Sequence, residues 1–385
     1  MTFEKGVDMD AEVAVIGVGT MGSMAMWRLA ERGVEAIGFE RYAPGHDLGA
    51  AGGNTRLFRL AYMEGAHYVP LLKQALGLWG ELSEVSATNL LVQCGGLNIG
   101  RREDPSMRQV AESARVHGLK LLPLGRAEMA DRYPQHVLAE DDMAYFDPEA
   151  GFLRSEQAVV AAADRAETLG ARILRHHRVE RVEPRRDGVV IEAAGSTWKV
   201  RTAILAMGSW APPWLPPELA RHLRPKRVLL SWFAPAFVQD FEPEVFPVFT
   251  RQSGGDFLYG APTADHASVK VCGIRPSDID DPDTFERRHD PDELTSMAEL
   301  LTSHVTGLHP YPVRSAGFTD LYSSDGHGIT GRHPRLPNVV LAGGYSGRGF
   351  KLAPAVGDAV ARLATGETVP DIAFMAPDRF AGGRR

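Results

Sequence analysis

The stretch Glu12-Val13-Ala14-Val15-Ile16-Gly17-Val18-Gly19-Thr20-Met21-Gly22, followed eighteen positions later by Glu40, decides the fold. Val13 to Ile16 is the short apolar run of a buried strand. Gly17, Gly19 and Gly22 spell G-x-G-x-x-G, Met21 to Arg32 has helical composition, and a second apolar run, Glu35 to Phe39, ends on Glu40. Strand, glycine turn, helix and strand therefore stand in the order a dinucleotide site needs. Gly17 permits the tight turn. Gly19, lacking a Cβ, lets the backbone approach a pyrophosphate, and Gly22 lets the helix pack closely on the strand. The helix start at Thr20 and Met21 offers free N–H groups to phosphates. Glu40 would accept hydrogen bonds from ribose hydroxyls. A glycine-rich surface turn, the plain alternative, does not account for Glu40. The motif alone does not choose between NAD and FAD.

With 385 residues the chain exceeds one ordinary domain, so one large or two intertwined domains are expected. Its 44% apolar and 24% charged content is typical of a globular protein, and the net charge of −7 argues against general nucleic-acid binding. No segment approaches the roughly 18 uninterrupted apolar residues of a membrane span. The acidic stretch Met1 to Asp10 reads as a short disordered lead rather than a secretory signal. Cys94 and Cys272, the only two cysteines, form no metal-ligand spacing. A cytoplasmic location is the expectation.

The chain shows no internal repeat. Thr55 to Arg59 leads into a helix near Tyr68 to Glu84, residues 90–100 read as strand, and Asp104 to His117 and Ser155 to Leu169 read as helices. Hairpin-like runs follow at Arg172–Leu174, Val179–Val182, Gly188–Glu192 and Thr197–Arg201. Thr202 to Trp210 is an apolar strand entering a small-residue turn. Arg227–Phe233, Asp256–Gly260 and Ser268–Cys272 alternate like antiparallel strands, and Asp292 to His304 is helical. Near the C-terminus, Asn338 to Gly344 is a buried strand entering a glycine loop, with a helix from Pro354 to Thr365 beyond it. A dinucleotide unit thus opens the chain and a second strand–glycine–helix element closes it. That order predicts a mixed α/β protein with a discontinuous FAD-binding Rossmann domain of the glutathione-reductase type and an inserted antiparallel-sheet substrate domain. The expected division is 10–87, 152–214 and 322–375 for FAD, against 88–151 and 215–321 for substrate.

Four blocks extend this reading: Gly17 to Gly22; Gly53-Asn54-Thr55-Arg56-Leu57-Phe58-Arg59; Tyr259-Gly260 with Lys270 eleven residues after the tyrosine; and Gly344-Tyr345-Ser346-Gly347-Arg348-Gly349-Phe350-Lys351. Together they resemble the monomeric sarcosine oxidase and N-methyltryptophan oxidase family of FAD-dependent amine oxidases, over about Ala11 to Pro370. The resemblance implies that Arg56 contacts the flavin and that Arg59 and Lys351 bind a substrate carboxylate. A guanidinium binds a carboxylate in bidentate fashion and an ammonium adds a point charge. It implies that Lys270 sits over the flavin and activates oxygen, and that Tyr259 lines the pocket. The further cofactor contacts it implies fall at Arg41, Asn54, Thr55, Val179, Gly208 and Trp210, and at Gly344, Gly347, Arg348, Gly349, Phe350 and Lys351. For each charged residue the bland alternative is a surface salt bridge or a solvent-facing side chain.

The chain departs from that pattern in places. The cysteine that commonly attaches the flavin aligns with Phe318, so FAD should be held without a covalent bond. A tyrosine near the flavin edge falls at Asp320, a possible amine contact. A histidine after the oxygen lysine falls at Ile274, with Arg275 beside it, and a histidine of the C-terminal loop falls at Arg348. Arg275 and Arg348 would serve a second anionic group, favouring a dicarboxylic amine over sarcosine; alternatively Arg348 pairs with Asp320 and Arg275 points outward. The reaction implied is FAD-dependent oxidation of a secondary amine bearing a carboxylate (an N-methyl, cyclic imino or N-carboxymethyl amino acid). The imine hydrolyses and O2 is reduced to hydrogen peroxide. A flavin dehydrogenase using another acceptor, a nicotinamide enzyme, and a non-catalytic FAD-binding subunit are the rival readings. No nucleic-acid, membrane or metal partner is expected, and the assembly would be a monomer or small homo-oligomer.

Overall fold

A computed structural model describes residues 9–253 and 255–380. The lead before Met9 lies outside the described residues. At the centre is the strand Ala11–Ile16, which pairs in parallel with Ala36–Phe39 on one side and with Ser196–Leu205 on the other. Arg172–Leu174 and Leu336–Gly343 extend this parallel sheet at its two ends. Both faces are covered, which is why these strands read as continuous apolar runs rather than alternating ones. Three helices, Thr20–Glu31, Ser155–Thr168 and Ala353–Ala364, pack on one face with the long helix Val69–Val85 beside them. The first and last approach so closely that a Cβ on Gly357 would lie 2.6 Å from Met24 Cβ. Strands Val179–Arg185 and Gly188–Ala193 and Leu219 help close the other face.

Ser196–Leu205 does two jobs. Its first half pairs antiparallel with Gly188–Ala193, its second half in parallel with Ala11–Ile16 and Leu336–Gly343. The two strands expected at Thr197–Arg201 and from Thr202 are therefore one continuous strand.

A second sheet carries the other half of the molecule. In it, Leu223–Phe233 lies between Arg314–Ser323 and Val269–Cys272, followed by Asp256–Ala261, Val248–Ser253, Gly96–Arg101 and Asp142–Asp147. Thr55–Phe58 is itself a strand, in a small third sheet with Gly151–Arg154 and Leu91–Val92. The strand expected across 90–100 is broken at Gly95. That residue has φ of +76°, and a Cβ there would lie 2.5 Å from the Phe146 ring. The first sheet thus takes strands from 11–39, 172–205 and 329–343, and the second from 96–147 and 223–323. Among the described residues no helix is long and apolar enough to cross a membrane.

The second and third glycines of the opening motif have separable roles. A Cβ on Gly22 would lie 1.8 Å from the Gly17 carbonyl oxygen, whereas one on Gly19 would meet nothing within 4 Å. Backbone cannot yield cheaply, and overpacking of this kind costs about 1–3 kcal/mol. Gly22→Ala should therefore lower the midpoint of thermal unfolding of the cofactor-free protein, while Gly19→Ala leaves it within about 0.5 kcal/mol of the parent. Equal effects of the two changes would show that Gly22 is not a packing constraint.

Candidate active site

The ends of the central parallel strands and the face of the second sheet line one cavity of about 1580 Å³. Small-molecule pockets run to about 300–1,000 Å³, so a dinucleotide and a small second molecule both have room. Gly17, Gly19, Thr20, Met21, Glu40, Arg41, Val179, Gly208 and Trp210 all line it. Gly22 does not line it; it packs behind the turn. Gly17 has φ of +87°, and a Cβ there would press on Ala206 O at 2.7 Å. Gly19 and Gly208 instead face open space, a cradle that backbone and a phosphate chain can share. Glu40 is 4% exposed, and its carboxylate accepts the Val18 and Tyr42 amides, each at 2.8 Å. This fixes the acid at the end of the second strand, with acceptor capacity left for ribose hydroxyls.

Arg41 and Trp210 are joined through a residue the sequence reading missed. Asp283 accepts from Arg41 Nη1 at 2.8 and 3.0 Å and from Trp210 Nε1 at 2.8 Å. Only the folded chain brings that loop against Arg41 and Trp210.

Arg56 and Lys270 both line the cavity and share one carbonyl, Thr55 O. The Arg56 guanidinium donates to Thr55 O at 2.7 Å and to Ala50 O and Gly52 O, both at 2.6 Å. The Lys270 ammonium donates to Gly53 O at 3.0 Å and Thr55 O at 2.7 Å. Burial, and then the Arg56 charge, pushes Lys270 down to about 7. Lys270 lies on an alternating strand, where a solvent-facing lysine was the bland expectation, yet it is 3% exposed. Tyr259, on the adjoining strand opposite Cys272, also lines the cavity, and burial pushes its phenol up.

Arg59 and Lys351 form a second cluster. Arg59 Nη1 donates to Asn98 Oδ1 at 3.2 Å and Thr250 Oγ1 at 3.0 Å, from neighbouring strands. Asp147 holds the following turn by accepting the Leu60 and Ala61 amides. Arg59 Nε is buried with no hydrogen-bond partner among the described residues. An orphaned buried donor of this kind is costly unless a ligand supplies an acceptor. Lys351 Nζ donates to Tyr62 OH and to Arg348 O, both at 3.2 Å, and burial pushes it down to about 7. Gly344, Gly347, Gly349 and Phe350 line the cavity beside it.

Arg348 does not pair with Asp320. Arg348 Nε lies 3.5 Å from Glu64 Oε1, and Asp320 is engaged elsewhere. Asp320 accepts the Leu321 and Gly347 amides, both at 2.8 Å, so it anchors the C-terminal glycine loop. Burial pushes its carboxyl up to about 6. Arg275 is exposed at the cavity wall. Glu64 carries no motif in the sequence, and its position was not predicted.

Asn54 does not line the main cavity. It has φ of +67°, its amide is bound by Glu156, its Oδ1 accepts from Arg314 at 3.3 Å, and it borders a small separate recess with Trp232. Phe318 lines the cavity and packs on the Gly52–Gly53 turn, where a Cβ on Gly52 would lie 2.4 Å from its ring. Cys272 joins Phe318 in one apolar cluster despite their distance in sequence, but neither it nor Cys94 lines the cavity. Burial pushes both thiols up, so neither is an activated nucleophile.

Comparison with known proteins agrees with this arrangement. Residues 12–363 match the model of the FAD dependent oxidoreductase family. The chain is 32% identical over 378 residues to monomeric sarcosine oxidase of Streptomyces avermitilis, covering 96% of this chain and 98% of that protein. It is 28% identical over 373 residues to N-methyl-L-tryptophan oxidase of Citrobacter koseri, covering 94% and 96%. Among solved structures, the open form of NikD, an amino acid oxidase essential for nikkomycin biosynthesis, superimposes with a TM-score of 0.84 at 21% identity, over 96% of this chain and 98% of that one. The glycine cradle, the fixed acid and the room for a dinucleotide fit FAD, and the chain belongs to the family of FAD-dependent oxidoreductases.

Proposed function

We propose that the protein oxidises a secondary amine bearing a single carboxylate, holding FAD without a covalent bond and using O2 as electron acceptor. The observation that carries this reading is the joint lining of one cavity by the dinucleotide cradle, the Arg59–Lys351 pair and the separate buried cation Lys270. Bound FAD supplies the hydride acceptor and, once reduced, the electrons that convert oxygen to hydrogen peroxide. The names of the two relatives, sarcosine oxidase and N-methyl-L-tryptophan oxidase, point to N-methyl amino acids as the substrate class. The division into FAD and substrate domains given above, a monomeric state and a cytoplasmic location belong to the same proposal.

The roles follow from charge and place. Arg59 and Lys351 bind the carboxylate, the first with a guanidinium fork and an unused donor, the second as a point charge. The cations Arg56, Arg59 and Lys270 disfavour a protonated amine between them, and only the neutral amine releases hydride readily. Asp320, largely ionised above about 6, accepts a hydrogen bond from the amine N–H. Lys270 places positive charge where oxygen gains negative charge. Tyr259 closes the wall beside it.

Glu64 alters the expected substrate preference. A free Arg348 would favour a second acidic group; Arg348 paired with Glu64 at 3.5 Å does not. Sarcosine should therefore bleach the flavin anaerobically and yield peroxide on admission of air, with higher kcat/KM than iminodiacetate. Glu64→Gln should narrow that gap roughly 10-fold, about 1.4 kcal/mol. A parent enzyme that already prefers iminodiacetate would contradict the pairing argument.

Attachment is tested directly. With Phe318 on the cavity wall and both thiols outside it, acid precipitation should leave all flavin in the supernatant. A yellow washed pellet would refute non-covalent binding.

The anchor is pH-dependent. Lys351, held at about 7, is charged below that value and loses its charge above it. The affinity of a simple carboxylate such as acetate, read from flavin absorbance, should fall roughly 10-fold between pH 6 and pH 8.5. In Lys351→Gln the fall should be clearly smaller, what remains coming from Lys270 and Asp320 in the same cavity. An equal fall in both proteins would remove Lys351 from the anchor.

A further inference from the structure

The loop from Ala50 to Thr55 holds two cations of the cavity entirely with backbone oxygens. Arg56 takes the carbonyls of Ala50, Gly52 and Thr55, and Lys270 takes those of Gly53 and Thr55. Charge-assisted bonds of this kind are stronger than neutral ones, so the course of the loop decides where both charges sit. That course is unusual. Gly53 has φ of +104° and Asn54 φ of +67°. An asparagine tolerates the left-handed region better than most residues, yet the conformation still needs support.

The support is Glu156, in the first turn of the helix Ser155–Thr168. Its Oε1 accepts the Gly53 amide at 2.7 Å, and its two oxygens accept the Asn54 amide at 3.1 and 3.0 Å. Ser155 Oγ donates to the same carboxylate at 2.9 Å, and the Ser155 amide donates to Asn54 O at 3.0 Å. A carboxylate at a helix N-terminus is favoured by the helix dipole. Glu156 itself does not line the cavity. One helix start therefore clamps both sides of the left-handed turn: the amides through Glu156, and a carbonyl through Ser155.

We propose that Glu156 is a positioning residue for the oxygen half of the reaction: it fixes the Gly53–Asn54 turn whose flanking carbonyls aim the Lys270 ammonium into the cavity. This rests on the reading of Lys270 as the charge that assists oxygen reduction. Several groups face that ammonium. Arg56 comes from the strand Thr55–Phe58, Arg314 from Arg314–Ser323, Cys272 from its own strand, and Glu156 from the helix; the Trp232 ring lies 5.6 Å away. Burial and the two arginines disfavour its charged form, and Cys272 and then Glu156 favour it. Removing the Glu156 charge should therefore do two things together. The ammonium loses its aim, and it loses its proton at lower pH.

The test uses the FAD holoenzyme and separates the half-reactions by stopped flow. Reduction is followed anaerobically with sarcosine; reoxidation is followed by mixing dithionite-reduced enzyme with O2. In Glu156→Gln, reoxidation should slow roughly 10-fold and reduction, which also depends on Arg56 and Lys270, by distinctly less. The pH above which reoxidation declines should move downward. Glu156→Asp, which keeps the charge, should recover part of the rate and the parent pH profile. If Glu156→Gln fails to retain FAD, Glu156→Asp alone carries the test, with reoxidation slowed and reduction slowed distinctly less. Equal slowing of both half-reactions in either variant, or an unmoved pH profile in Glu156→Gln, overturns the proposal. Lys270→Met separates the two claims. If that change leaves reoxidation at the parent rate, the role assigned to Lys270 fails, whatever Glu156 does.

Discussion

Everything in the cavity depends on how its buried positive charge is held. Charges removed from water are stabilised either by opposite charges or by dipoles and hydrogen bonds. Here the bonded partners are neutral. Arg56 and Lys270 are held by carbonyls, Arg59 by an amide and a hydroxyl oxygen, and Lys351 by a phenol and a carbonyl. Dipoles orient a cation without cancelling it. The cavity therefore keeps a positive field into which a carboxylate, or negative charge developing on oxygen, can settle. Arg348 shows the contrast: a carboxylate, Glu64, lies against it, and its field is correspondingly spent.

The fold supplies that arrangement by converging two sheets on one space. In the parallel sheet the glycine turns at Gly17 and Gly344 follow the strands Ala11–Ile16 and Leu336–Gly343, at the strand ends where ligands collect in open α/β sheets. The second sheet presents alternating side chains, so Asn98, Thr250 and Lys270 reach the same side as the cavity lining. The small third sheet fixes Thr55–Phe58 between them. Asp147, Glu156 and Asp320 do similar work at three places, since each carboxylate accepts backbone amides and so sets a loop that carries a cation.

Much of this was legible in the chain because it is local. G-x-G-x-x-G followed by Glu40 needs only short-range spacing to be read, and the blocks around Arg56 and Lys351 are likewise contiguous. What was not legible depends on contacts between distant segments. Glu64 meets Arg348, and Asp283 meets Arg41, across hundreds of residues, and neither acid stands in a motif. Asn54 sits inside a matching block, yet the left-handed turn carries it to the far side of the loop. Thr55–Phe58 looked like a lead-in because its partner strand, Gly151–Arg154, lies far along the chain. Burial was equally hidden. A lysine on an alternating strand looks solvent-facing until the loop that caps it is in place.

The most direct measurement of the central claim is a crystal structure of the FAD-loaded protein with bound acetate. Both acetate oxygens should lie within hydrogen-bonding distance of Arg59 and Lys351, on the side of the cavity away from Gly17 and Glu40. Acetate bound instead at Arg348 or Arg275, with Arg59 still facing only Asn98 and Thr250, would contradict the account.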